Sequence, residues 1–150
     1  MFSDPAIDHL PCPDRQADFY SGVTVKRAVA WVIDIAVVWT IGTFLTLISI
    51  VGVFFMPMIL LAVGFLYRWL TISRGSATWG MRLMSIELRD AWGQKLDGGQ
   101  AALHVLGYYL SMSVFILQVV SMGFMALSER GQGLTDMVLG TVMLNRRSTS

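Results

Sequence analysis

The chain has 150 residues, 55% of them hydrophobic and 14% charged, with a formal charge of +1, where an ordinary soluble domain carries about 25% charged residues. The shortage is local: residues 28–72 carry only Asp34 and Arg68, and residues 101–128 carry no Asp, Glu, Lys or Arg. Uncharged runs beyond about 18 residues read as bilayer spans, which excludes a soluble single domain and, by the same apolar runs, intrinsic disorder.

The N-terminal 22 residues hold Asp4, Asp8, Asp14 and Asp18, three prolines and no early apolar run. They lack the pattern of a cleaved signal and are expected to form a polar, loosely ordered tail, with the first membrane helix as an uncleaved anchor. Cys12 is the only cysteine, so no intrachain disulfide forms. The His9/Cys12 pair offers two ligands where a zinc site needs four. No basic stripe interleaves with aromatics, so nothing supports nucleic-acid binding.

Residues 28–72 are too long for one crossing and suit two, since a span takes about 20 residues at 1.5 Å rise. With the turn near Ser49–Val53, helix one covers 25–48 and helix two 53–72. Pro57 then falls in the first turn of helix two, where its missing N–H costs least. Lys26 and Arg27 precede helix one, while Arg68, Arg74, Arg82, Arg89 and Lys95 flank or follow helix two; the connector has no basic residue. The positive-inside rule therefore expects a cytoplasmic N-terminus and a cytoplasmic segment 73–100.

Within that segment Met84, Ile86 and Leu88 alternate with Ser85, Glu87 and Arg89, the period of a half-buried strand. Asp90–Gly93 supplies a turn, and Asp97 with Gln100 forms a capping box for the next helix. Thr141–Leu144 is a second β-prone stretch that suits pairing with 84–89. The apolar block 101–128 reads as a third long helix. Whether it crosses once or doubles back is left open by composition, and a C-terminal segment 133–145 and a tail 147–150 follow. The expected fold is an all-α membrane protein: a helical hairpin plus a third long apolar helix, with a small cytoplasmic surface element containing a short β-hairpin.

Candidate site residues are the charges out of place. A carboxylate inside an apolar helix costs at least about 2.5–3.5 kcal/mol, so Asp34 must face protein or water. Arg27 lies on the same stripe two turns earlier, about 10.5 Å along the axis and too far for a direct pair. Asp34 is therefore expected to find its partner on another helix, with Arg68 or Arg82 the structural candidates. Asp136 is the third, in an apolar stretch between Gly133 and Gly140. His104 reads as an interfacial histidine or a proton relay. The ten methionines, Met56 and Met58 included, read as apolar filling rather than copper ligands. Walker A, H-E-x-x-H, G-x-S-x-G and G-x-G-x-x-G are absent from the sequence.

Arg27 and Asp34 in the first membrane helix, with Asp136 near the C-terminus, resemble the RDD family of small bacterial membrane proteins, named for one arginine and two aspartates. Gly80–Met81–Arg82–Leu83, the turn Asp90–Ala91–Trp92–Gly93, and Leu134–Thr135–Asp136 followed by Gly140–Thr141–Val142 carry the resemblance across residues 20–146. The family often has histidine just before its final aspartate, where this chain has Thr135. The resemblance implies a multi-pass protein of the bacterial inner membrane with a transport role, a cation or proton being bound by intramembrane carboxylates. The alternative is a non-enzymatic scaffold or assembly partner in which Arg27, Asp34, Arg82 and Asp136 make structural ion pairs. Neither reading needs a catalytic residue, metal or cofactor; the expected partners are the lipid bilayer and a second copy or another membrane protein.

Overall fold

A computed structural model describes residues 10–49 and 51–146. His9 lies outside the described residues. Two helices dominate: α1, Val23–Ile48, and α2, Met56–Gly75. At 1.5 Å per residue they are about 39 Å and 30 Å long, enough to cross a hydrocarbon core about 30 Å thick. A 3-10 turn, Gly52–Phe55, joins them, and Pro57 sits in the first turn of α2. They form an antiparallel hairpin. Its inner face on α1 is the i+4 stripe Ala30, Asp34, Val38, Gly42 and Thr46, while Val25, Val32, Trp39, Phe44 and Leu47 on the other faces stay exposed, as lipid contact requires.

After α2 the chain turns sharply. Ser76 adopts a left-handed conformation (φ 52°), its N–H donating to the Ile72 carbonyl, while its hydroxyl and carbonyl accept from the Leu96 and Leu88 N–H groups. This one buried serine closes α2 and fastens the surface segment to it. The segment contains α3, Trp79–Leu83, and β1, Ile86–Arg89. As the alternation foretold, Ile86 and Leu88 are buried and Glu87 and Arg89 face outward. The expected turn forms through N–H groups of Trp92 and Gln94 donating to the Asp90 side chain. Asp97 and Gln100 make a reciprocal capping box.

Two expectations change here. The third long helix is two helices, α4, Gly98–Ser113, and α5, Phe115–Leu127, bent by 117° at Val114. They measure about 24 Å and 20 Å, each shorter than the hydrocarbon core. The pair starts beside the end of α2, where the Trp69 indole donates to the Gly98 carbonyl. It finishes beside the start of α1, where the Thr24 hydroxyl donates to the Met125 carbonyl. Block 101–128 thus enters and leaves at one end of the hairpin. The Ser111 hydroxyl donates to Gln118 across the break, satisfying polar groups that an apolar environment would leave unpaired.

The second change concerns the surface element. After α6, Leu134–Leu139, strand β2, Val142–Asn145, pairs antiparallel with β1, Ile86 opposite Asn145 and Arg89 opposite Val142. The pairing that the β-prone stretch 141–144 suited is thus the one formed, and it makes the sheet a long-range pairing rather than a hairpin. The N-terminal stretch is packed from Leu10 onward, not loose: Leu10, Phe19 and Tyr20 cover Val142 and Leu144, and the Asn145 amide donates to the carbonyls of Asp18 and Ser21. Those three apolar side chains, outnumbered by acids in the composition, explain the order.

Candidate functional site

The three singled-out charges occupy two separate clusters. Asp34, 3% exposed, sits eleven residues into α1, about 16 Å along its axis. Its Oδ1 accepts from the Tyr67 hydroxyl of α2 at 2.7 Å and from the Gly80 N–H of α3 at 2.9 Å; its Oδ2 accepts from the Thr78 hydroxyl. Among the described residues no arginine hydrogen-bonds or pairs with Asp34. Arg82 is exposed on α3 with its guanidinium laid against the backbone of Gly75. Arg68 is buried on α2, its guanidinium carbon 4.8 Å from the centroid of the Tyr108 ring. Tyr108 is held in turn by the Trp31 indole donating to its hydroxyl at 2.7 Å. The expected partners of Asp34 are thus replaced by neutral donors.

The local fold explains the cage. Thr78 is the N-cap of α3, its hydroxyl oxygen accepting from the Met81 N–H while its proton goes to Asp34. Tyr67 is fixed by the Trp79 N–H donating to its hydroxyl and by edge-on packing against the Trp79 ring at 5.9 Å. Gly80 is required by space: a Cβ there would overlap the Ala30 carbonyl oxygen and come within 2.9 Å of Asp34 Oδ1. Asp34 therefore joins α1, α2 and α3 at one point.

The second cluster lies nearer the start of α1. The Arg27 guanidinium donates to Asp136 Oδ2 at 2.6 Å and to the Gly131 carbonyl. Asp136, fully buried in the first turn of α6, also accepts from the Gly133 N–H and from the Thr141 hydroxyl. His104 of α4 brings Nδ1 to 3.6 Å from Asp136 Oδ1, and among the described residues that nitrogen is the one buried side-chain polar atom without a hydrogen-bond partner. Burial alone would raise the Asp136 pKa; the Arg27 charge, the His104 imidazole and the hydrogen bonds from Arg27 and Gly133 outweigh it and hold the carboxyl below its ordinary value. This cluster binds α1, α4, α6 and the start of β2 into one unit.

The arginine at the head of the first membrane helix is thus bonded to the last aspartate, and the intrahelical aspartate to the segment after helix two. The sequence profile of the RDD family matches residues 22–140. The chain belongs to the RDD family. No curated protein and no solved structure matches it. In this RDD protein the arginine and the second aspartate form one ion pair, and the first aspartate stands apart from both.

Sequence reasoning did not find Tyr67, Thr78 and Thr141, the neutral donors. The available signals were a threonine preceding a short helix, as an N-cap does, and Gly80 inside an apolar run, which marks close backbone approach. Two cavities among the described residues are lined by side chains other than Arg27, Asp34 and Asp136. One, of about 460 Å³, lies between the N-terminal stretch and the sheet by Phe19, Glu87 and Arg89; another, of about 170 Å³, is an apolar cleft between α4, α5 and α6. Among the described residues no group of acids, histidines or cysteines forms a metal site.

Proposed function

We propose that this RDD protein is a non-enzymatic scaffold or assembly partner of the bacterial inner membrane, whose arginine and aspartates fasten a surface element to a membrane hairpin. The observation that carries this reading is the enclosure of buried Asp34 by three donors from α2, α3 and the turn before α3. A carboxyl group held by three neutral hydrogen bonds and 3% exposed is fixed in place and closed off from a solute. A transport site needs a carboxylate that a solute can reach, whereas Asp34 and Asp136 are 3% and 0% exposed. The orientation rests on charge. Lys26, Arg27, Arg74, Arg82, Arg89 and Lys95 sit at one end of the hairpin and none in the connector 49–55, which favours a cytoplasmic N-terminus.

The test is reconstitution of the full chain into vesicles with imposed Na⁺, K⁺ or H⁺ gradients. No flux above protein-free vesicles is expected, and Asp34→Asn should lower recovery of monodisperse protein. A protein-dependent flux, abolished by Asp34→Asn in a variant recovered at wild-type level, would overturn the proposal in favour of transport.

A further inference from the structure

The Asp34 cage fixes how deep the surface element sits. Gly80 packs against the carbonyl of Ala30 and donates to Asp34, so α3 lies level with a part of α1 whose outward residues, Val29, Trp31 and Val32, are exposed and apolar. Two outward side chains of the α3 helix, Trp79 and Leu83, are 53% and 71% exposed. At that level they meet the bilayer boundary, not water. The third outward residue of α3, Arg82, lays its guanidinium over Gly75, next to Arg74 in the last turn of α2. Both arginines are exposed, and among the described residues neither guanidinium group has a hydrogen bond or ion pair.

We propose that Arg74 and Arg82, above the apolar shelf of Trp79 and Leu83, form a binding site for the headgroup of an anionic phospholipid. Two exposed arginines with unpaired guanidinium groups, on the same surface element as an exposed indole and leucine, suit a phosphodiester whose acyl chains run down past the indole. Guanidinium forks match phosphate oxygens in a way that ammonium groups do not. A free phosphate would satisfy the cations but leave Trp79 and Leu83 without a function, and the apolar shelf is what selects a lipid.

The site is testable with the full-length protein in nonionic detergent, titrated with phosphatidylglycerol or phosphatidylcholine and read by native mass spectrometry and by the thermal unfolding midpoint. One phosphatidylglycerol should be retained at a concentration about tenfold lower than phosphatidylcholine, and only the anionic lipid should raise the midpoint. Arg74→Gln with Arg82→Gln should abolish the preference while leaving the midpoint without lipid unchanged, because both side chains are exposed. The Arg74→Lys, Arg82→Lys pair should retain part of it. Arg146→Gln removes the same type of charge elsewhere on the surface element and should leave the preference intact. Equal retention of both lipids, a preference that survives the double glutamine variant, or loss of preference in Arg146→Gln would overturn the proposal. So would inorganic phosphate raising the midpoint as much as the lipid does.

Discussion

Arg27 and Asp136 are the pair whose chemistry is easiest to disturb. The Asp136 side chain is 1% exposed and that of Arg27 14%, so removing the arginine leaves a buried carboxylate with only the Gly133 and Thr141 donors and a histidine at 3.6 Å. Breaking a buried pair from one side costs about 3–5 kcal/mol, because the remaining charge is desolvated without compensation. Arg27→Ala should therefore lower the thermal midpoint sharply, and in a double-mutant cycle Arg27→Ala with Asp136→Ala should lose clearly less than the sum of the two single losses. Additive losses would mean that the two side chains do not interact. The same geometry sets the acid limb. The Asp136 pKa is lowered in the folded protein, so its contribution is present above the ordinary value of 3.8 and is lost as pH falls through the folded value. The double variant should lose that part of the acid sensitivity. Arg27, Asp34 and Asp136 were visible in the sequence because a charge in an apolar run is conspicuous. The partners of Asp34 were not, since a hydroxyl or a backbone N–H leaves no charge to notice, and that Arg27 pairs with Asp136 depends on a fold contact 109 residues apart.

At the level of elements, α3 is the piece whose position the rest depends on. It has only five residues, Trp79–Leu83, too few to hold a helix without tertiary contacts. Its anchorage is the Thr78 cap, the Asp34 bonds and the absence of a side chain at position 80. Gly80→Ala should push α3 away from Ala30 and break the Gly80–Asp34 bond, since a backbone carbonyl cannot swing aside as a flexible side chain does. The expected result is faster backbone hydrogen exchange through residues 78–84 and a lower yield of folded protein, with exchange in the middle of α1 and α2 little changed. Unaltered exchange at 78–84 would show that α3 tolerates the methyl group. The periodic elements were legible in advance: hairpin, strand β1, turn at Asp90 and capping box at Asp97 all rest on local patterns. The break at Val114 was not, because an uncharged run has the same composition whether it crosses the bilayer or turns back. The pairing of β1 with β2 was suggested by two β-prone stretches alone, whereas the packing of Leu10, Phe19 and Tyr20 depends on contacts distant in sequence, which propensity does not encode.

For the whole molecule, the consequence of the bent α4–α5 pair is topological. Residues 10–22, the surface segment, both ends of α4–α5, and β2 are tied together at one end of the hairpin, through Thr24 to Met125, Trp69 to Gly98, and Ile86 to Asn145. A single crossing by 101–128 would place β2 across the bilayer from β1, and their ladder could not form. Among the described residues, the connector between α1 and α2 is what lies at the opposite end. This divides the chain unevenly, with nearly all polar residues on one side, and it makes a sharp prediction for cysteine labelling in intact, right-side-out cells. With Cys12, which is exposed, replaced by serine, single cysteines at Gly93, Leu127 and Arg146 should share one accessibility to a membrane-impermeant maleimide, and a cysteine at Val53 should show the other. Under the orientation set by the basic residues, Val53 is the position labelled from outside. Labelling of Leu127 together with Val53 would mean that α4 and α5 straighten into one span in the membrane, and the sheet between β1 and β2 would have to be abandoned with it.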